Sequence, residues 1–163
     1  MPAAVGRPWP PAPAPGAAFW RRVPLDRMSA TQWEVLCDRC GRCCLEKFVN
    51  RRNGKVHYTD VPCPLLDPRT CTCRAYAERR RRNPECVPLT PQNLPRCRWL
   101  PRTCAYRLLN EGQDLPEWHP LVSGDPESVH KAGISVRDKV ISETYVHPDD
   151  LVNYIEERDY DLL

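Results

Sequence analysis

The stretch of sequence that decides the fold reads Cys37-Asp38-Arg39-Cys40-Gly41-Arg42-Cys43-Cys44. Two-residue spacers let a tight turn point successive sulfurs at one centre, and Gly41 permits the backbone to curl with positive φ. Structural zinc usually takes separated Cys-x2-Cys pairs, whereas a Cys-x2-Cys-x2-Cys register is typical of chains that wrap a cubane iron–sulfur cluster. Adjacent Cys43 and Cys44 point in different directions, so we expect them to serve two different centres.

More cysteines follow downstream. Cys63 precedes Pro64, and a proline beside an iron–sulfur ligand stiffens the chain and shields the cluster. Cys71 and Cys73 would lie on the same side of an extended segment and could chelate one ion. Nine thiols suffice for two four-thiolate centres with one to spare, and we expect Cys97, outside these motifs, to be an ordinary buried residue. The candidate metal ligands are therefore Cys37, Cys40, Cys43, Cys44, Cys63, Cys71, Cys73, Cys86 and Cys104.

Composition sets the context for these cysteines. The chain has 163 residues, ten of them Cys and nineteen Pro, which suits one domain with tails. Its longest apolar runs fall short of the ~18–20 residues that cross a bilayer, so we expect no membrane-spanning segment. The start of the sequence does not have the pattern of a secretory signal, so we expect a cytoplasmic protein. In that reducing compartment, clustered cysteines more often bind metal than form disulfides.

Charge is divided unevenly along the chain. Residues 1–110 hold 20 Lys and Arg against 8 Asp and Glu, whereas residues 111–163 hold 4 against 13. All ten cysteines lie in the basic part. Four thiolates around a divalent zinc or a 2+ cluster leave a net charge of about −2, which nearby arginines would offset. The acidic part could also fold back onto the basic part, so the overall charge says little about nucleic acid.

The pattern predicts a small α+β domain at residues 19–163, with short helices and a β-hairpin stapled by metal, after a disordered Pro/Ala-rich leader at residues 1–18. Ser29 and Gln32 form a capping box for a short helix that ends near Cys37. Asn53-Gly54 between β-forming residues predicts the hairpin. Further elements are predicted as a helix over Arg74–Arg82, a cap at Thr90, a helix over Thr103–Asn110, a short strand at Ile134–Val136, and an acidic C-terminal helix over Pro148–Arg158.

Two histidines and a run of arginines are weaker candidates for functional residues. His119 and His130 could complete a mixed Cys/His metal site, although a lone histidine is more often hydrogen-bonded structure. The run Arg79–Arg82 is more typical of a solvated helix end, where the helix dipole favours cations, than of a patch that binds RNA or phosphate. The sequence has no nucleotide-binding glycine loop and no HExxH zinc-protease motif.

Several motifs together resemble a known family of bacterial proteins. They are Cys37-x2-Cys-Gly-x-Cys-Cys44, Cys71-Thr-Cys-Arg-x-Tyr76, Leu89-Thr90-x-x-Asn93-Leu94-Pro95, Trp99-Leu-Pro-x-Thr-Cys-Ala-Tyr-Arg-Leu-Leu109 and Leu115-Pro-x-Trp-His-Pro-Leu121. The chain looks like a YcgN-type protein of the YkgJ-type (CxxCxxCC) cysteine-cluster family over roughly residues 19–158. The resemblance departs at the leader, Cys97 and His57, and it implies zinc or iron chelation without an established reaction.

Three functions fit these observations. The first is a cytoplasmic metalloprotein whose cysteines bind iron–sulfur clusters or zinc; the triple register and the Cys-Pro step favour iron–sulfur. The second is an iron-dependent redox or peptide- or protein-modifying enzyme, because a spare thiol or His119 could serve an open coordination position. The third is a zinc-stabilised adaptor that binds a protein, or RNA through Arg79–Arg82. Metal ions are thus the expected partners, with a protein partner possible, nucleic acid less favoured and no membrane.

Overall fold

A computed structural model describes residues 18–156. Within this range the α-helices are α1 (Ala30–Val35), α2 (Arg79–Arg82), α3 (Ala105–Asn110), α4 (Pro120–Ser123) and α5 (Ser128–Lys131). The strands β1 (Leu45–Val49), β2 (Val56–Pro62), β3 (Leu66–Asp67) and β4 (Thr72–Cys73) form two small antiparallel sheets, β1-β2 and β3-β4. Short 3-10 helices cover Phe19–Arg21, Leu25–Arg27, Arg42–Cys44, Tyr76–Glu78, Leu94–Arg96, Glu143–Tyr145 and Pro148–Tyr154. The predicted α+β class is confirmed; the predicted leader, apart from Ala18, lies outside the described residues.

The capping box at the start of α1 is confirmed. The Gln32 amide donates to Ser29 Oγ at 3.2 Å, and the Ser29 amide donates to Gln32 Oε1 at 2.9 Å. These two bonds satisfy amides that a helix N-terminus otherwise leaves unpaired. Because α1 ends at Val35 and Leu36 caps it, Cys37 is the first residue beyond the helix.

The predicted hairpin is also confirmed, as strands β1 and β2. The Gly54 amide donates to the Asn50 carbonyl at 2.7 Å, and Gly54 has φ +72°, a conformation that glycine adopts without strain. At the other end of the hairpin the Cys63 amide donates to the Cys44 carbonyl at 2.7 Å. The hairpin therefore brings together two cysteines that are far apart in the sequence.

Helix ends differ from the prediction in two places. The helix predicted over Arg74–Arg82 begins later, as the 3-10 turn Tyr76–Glu78, and continues as α2. The helix predicted from Thr103 begins at Ala105, with Cys104 as its N-cap residue, and Gly112 follows its end with φ +74°. Such shifts are expected, since helix termini are the least determined part of a sequence pattern.

Three other predictions need correction. Ile134–Val136 is a buried loop instead of a strand, and its Val136 amide donates to the Cys40 carbonyl at 2.8 Å. The C-terminal helix is a 3-10 helix that ends at Tyr154, and Arg158 lies outside the described residues. The Thr90 hydroxyl caps a turn through the Asn93 amide, at 3.3 Å, and not an α-helix.

Apolar packing is divided among three clusters instead of one continuous core. The largest is built around Leu36, Leu100 and Tyr106, the second around Leu45 and Val136, and the smallest around Val129 and Ile134. Each cluster includes cysteines: Cys43, Cys97 and Cys104 in the first, Cys44 and Cys71 in the second, and Cys40 in the third. The cysteine-rich loop therefore lies where the three clusters meet.

Within residues 18–156 there is no helix with the length and hydrophobicity needed to span a bilayer.

Candidate metal centre

The loop after α1 is bent by two residues in the left-handed conformation. Arg39 has φ +62° and Gly41 has φ +75°. They flank Cys40, whose amide donates to Asp38 Oδ1 at 2.9 Å. The chain then enters the 3-10 turn Arg42–Cys44, which leads directly into β1. These bends place the four loop cysteines around one space.

Gly41 is held in close contact with the rest of the molecule. A Cβ at this position would stand 2.7 Å from Val136 Cγ2, below the range of real carbon contacts, and 3.4 Å from the Cys71 Cβ. Val136 is fully buried, so it has little room to move. Only glycine therefore fits both the backbone angle and the space.

We expect Gly41→Ala to lower the free energy of unfolding by about 2–4 kcal/mol, because left-handed strain adds to overpacking. Gly112→Ala is the matched control: Gly112 has φ +74°, but a Cβ added there would meet no atom of residues 18–156 within 4 Å, so only strain of about 1–2 kcal/mol applies. Urea unfolding of both variants measures the difference. Equal losses would show that the Val136 contact has no energetic weight.

The downstream cysteines arrive from several separate elements. Cys63 follows β2, and Cys73 ends β4, where it pairs with Leu66 of β3. Cys86 lies after α2, and its amide donates to the Asn83 carbonyl at 3.0 Å. Cys104 caps α3. Because no two of these four belong to the same helix or strand, only tertiary packing can bring them together.

These cysteines border a shared cavity of about 190 Å³. Of the nine predicted ligands, the eight that line it are Cys37, Cys40, Cys43, Cys44, Cys63, Cys73, Cys86 and Cys104. Its volume is several times the ~30 Å³ that one water molecule occupies in the liquid. Cys71 instead borders an adjoining cavity of about 150 Å³, which Cys37, Cys43, Cys44 and Cys73 also line.

The thiols surround the space without forming a finished coordination sphere. Among residues 18–156, no group of three or more His, Cys, Asp or Glu side chains is close enough to hold a metal ion. The neighbouring sulfurs Cys43 Sγ and Cys44 Sγ lie 4.0 Å apart. The expectation that Cys71 and Cys73 share an extended segment fails at Cys71, which has φ +53°. Whether the nine cysteines bind metal stays a prediction.

Burial keeps most of these thiols neutral in the absence of metal. It raises the pKa of Cys104 to about 12 and raises the pKa values of Cys37 and Cys40 well above the ordinary range. Cys37 is exposed where it lines the cavity. A hydrogen bond between Cys43 and Cys44 lowers the pKa of Cys43 and raises that of Cys44. A metal that bound here would have to displace protons.

Asp38 is a cavity-lining residue that the sequence analysis did not select. Its side chain is 4% exposed, and its second carboxylate oxygen, Oδ2, is buried without a hydrogen-bond partner among the described residues. A buried carboxylate oxygen without a partner is costly unless a cation or a proton satisfies it. The only sequence signal for Asp38 was its position inside the cysteine motif. The hydrogen bond from the Cys40 amide to Asp38 Oδ1 is an equally good explanation of that position.

His119 has an ordinary structural role, and both of its ring nitrogens are occupied. It is fully buried, Nε2 donates to the Leu36 carbonyl at 3.0 Å, and Nδ1 accepts from the Leu121 amide at 3.1 Å. Burial lowers its pKa, so the neutral ring fits these two bonds. His119 therefore holds the end of α1 against the start of α4, and in this arrangement it has no free nitrogen for a metal.

We expect His119→Ala to lower the free energy of unfolding by about 3–5 kcal/mol, because it leaves a buried carbonyl and a cavity behind. His147→Ala is the matched control: His147 also caps a helix, with Nδ1 accepting from the Asp149 amide at 3.2 Å, but it is exposed. The control should lose about 1 kcal/mol or less. If both variants unfold at the same urea concentration, the hydrogen bond between His119 and the Leu36 carbonyl contributes nothing to the free energy of unfolding.

The remaining candidates lie away from the cavity or at its edge. His130 is half-buried, with Nδ1 2.6 Å from Ser135 Oγ. Cys97 is buried in the largest apolar cluster, as expected for an inert cysteine. Arg81 and Arg82 pair with Glu78 at 2.8 and 3.3 Å, which suits a solvated helix end. Arg79 differs, because it lines the cavity and stacks 3.9 Å above the Tyr76 ring.

Known proteins similar to this chain are bacterial. A UPF0260 protein of Azotobacter vinelandii is 54% identical over 132 residues, which cover 81% of this chain and 89% of the relative. A UPF0260 protein of Rhizorhabdus wittichii is 58% identical over 125 residues, covering 77% and 86%, and one of Gluconobacter oxydans is 53% identical over 135 residues, covering 83% of each chain. The chain belongs to the UPF0260 family. No protein-family model matches it, and no solved structure does.

This membership corrects the resemblance described from the motifs. The matching relatives are named UPF0260 proteins, so the assignment to a YcgN-type protein of the YkgJ-type family was wrong. The name UPF0260 states neither an activity nor a bound metal.

Proposed function

We propose that this protein is a metalloprotein that binds an iron–sulfur cluster or zinc through the cysteines around the 190 Å³ cavity. The observation that carries the proposal is the convergence of eight thiols from separate elements on one space. Thiolates are the ligands that zinc and iron–sulfur clusters prefer. The unpartnered Oδ2 of Asp38 at the same cavity adds an anionic group that a cation would satisfy.

Iron–sulfur binding is favoured over zinc. The Cys37, Cys40 and Cys43 register and the Cys63-Pro64 step are typical of iron–sulfur ligation. The cavity also exceeds the space that a single ion with bonds of about 2.3 Å to sulfur would need. The burial of the cavity is compatible with either metal, because a hydrophobic surround limits the access of solvent to the site. For an iron–sulfur cluster it would also tune the redox potential.

The test is metal analysis of the full-length protein purified without oxygen. An iron–sulfur cluster is expected to give a broad absorbance at about 400 nm. This absorbance, together with iron and a matching amount of sulfide, would establish iron–sulfur binding. Colourless protein with stoichiometric zinc would establish a zinc-stabilised protein. Protein that carries neither metal, and takes up neither Zn²⁺ nor iron and sulfide under reducing conditions, would refute the proposal.

A second candidate function has one specific observation in its favour. An iron-dependent redox or protein-modifying enzyme needs polar side chains beside the metal that can bind a substrate. Asp38, Tyr76 and Arg79 line the same cavity as the thiols and could serve this purpose. Tyr76 donates to the Glu34 carboxylate at 2.8 Å. Substrate-dependent change in the metal's spectrum would favour the enzyme; a spectrum that no added peptide or reductant alters would count against it.

A further inference from the structure

We infer that the eight cavity cysteines form two adjoining four-thiolate metal centres: a first centre of Cys37, Cys40, Cys43 and Cys104, and a second centre of Cys44, Cys63, Cys73 and Cys86. Cys71 belongs to neither. This division rests on the proposed function, since it requires that the cavity cysteines bind metal at all. It is carried by the contacts that tie each set of four together.

The first centre joins the cysteine loop to the start of α3. Arg42 Nη1 donates to Thr103 Oγ1 at 3.2 Å, which holds the loop against the residue just before Cys104. Tyr106 donates to the Trp33 carbonyl at 2.8 Å and fixes α3 against α1. These two bonds place the N-cap thiol of α3 beside the loop that carries the other three cysteines.

The second centre is connected through the two small sheets and the turn after α2. The Cys63 amide donates to the Cys44 carbonyl at 2.7 Å, and the Leu66 amide donates to the Cys63 carbonyl at 2.9 Å. Leu66 pairs with Cys73 across the β3-β4 sheet. Three of the four ligands are therefore linked by backbone hydrogen bonds.

Asn83 links the fourth ligand to this set. Its side-chain nitrogen, Nδ2, donates to Cys63 Sγ at 3.4 Å, and its carbonyl accepts from the Cys86 amide at 3.0 Å. Hydrogen bonds from amides to sulfur are typical around metal-bound thiolates, where they tune the centre.

Cys71 lines the adjoining 150 Å³ cavity but not the 190 Å³ cavity that the other eight cysteines share. It is buried in the apolar cluster with Leu45 and Val136. Its surroundings are those of a packed thiol, which makes it the one spare cysteine of the nine.

Cysteine-to-serine variants of the full-length protein, purified without oxygen, test the division. Cys104→Ser and Cys86→Ser should each lose about half of the wild-type metal, and the double variant should lose nearly all of it. Cys71→Ser is the matched control and should keep the wild-type content. Loss of all metal in either single variant, or loss of metal in Cys71→Ser, would overturn the division.

Wild-type protein provides a second test that does not depend on how variants fold. Stepwise chelation followed by alkylation and mass mapping identifies which thiols become reactive together. The division predicts a half-loaded species in which one set of four is alkylated and the other is protected. A reactive set that mixes Cys44 with Cys104 would overturn it, whereas wild-type protein without metal would refute the proposed function instead.

Discussion

Removal of the metal that we propose the cavity cysteines bind is expected to abolish the cooperative thermal transition of the full-length protein. The apolar residues form three separate clusters that meet at the cysteine cavity, so no continuous core connects them within residues 18–156. In small metal-stapled domains, metal binding contributes on the order of 10 kcal/mol to folding. That is comparable to the whole stability of a typical domain, about 5–15 kcal/mol. Near-ultraviolet circular dichroism, which reports the packing of Trp33 and Trp99, measures the loss.

The experiment must separate metal loss from thiol oxidation. The stripped protein is therefore kept in reductant without oxygen, and adding back Zn²⁺, or iron together with sulfide if a cluster was removed, should restore the wild-type signal and transition. Stripped protein that keeps both its near-ultraviolet spectrum and its melting temperature would contradict a metal-dependent fold.

The second large effect is expected for Cys40→Ser, which should lower metal content by about twofold or more and lower soluble yield at the same time. Cys40 is 7% exposed, and its carbonyl accepts from the Val136 amide, so its thiol is fixed within the site. A serine hydroxyl is a poor replacement for a thiolate ligand of zinc or iron. Elemental analysis of the soluble fraction gives the result.

Cys97→Ser is the matched control for this variant. Cys97 is as buried as Cys40, at 5% exposed, but it lies in the largest apolar cluster and away from the cavity. We expect about 1–3 kcal/mol of destabilisation from burying a hydroxyl, with unchanged metal per folded chain. Unchanged metal stoichiometry in Cys40→Ser would show that Cys40 is not a metal ligand.

Local signals in the sequence predicted the parts of the fold that depend on neighbouring residues. The Ser29–Gln32 capping box needs only three residues of spacing, and Asn53-Gly54 specifies a turn by its own backbone preference. Both were confirmed, and they explain how Cys37 and the Cys44–Cys63 pair reach the site. The burial of Cys97 in an apolar cluster could also be predicted, because it lies outside every tight motif.

Long-range packing could not be predicted in the same way. Cys104 reaches the loop through the Arg42–Thr103 bond, and Cys86 reaches Cys63 through Asn83; neither contact has a periodic signature in the sequence. Ile134–Val136 was mistaken for a strand because alternation of residue types does not distinguish a buried loop from a strand. Asp38 was overlooked because an acidic residue is not an expected neighbour of clustered thiols.

X-ray absorption spectroscopy at the edge of the bound metal tests the central claim most directly, because it identifies the atoms next to the metal. We expect four sulfur neighbours per metal, at about 2.3 Å if the metal is zinc, with iron neighbours beyond the sulfur if it is a cluster. Cys71→Ser should give the same spectrum. Nearest neighbours that are mainly nitrogen or oxygen would contradict the proposal that the cavity cysteines hold the metal.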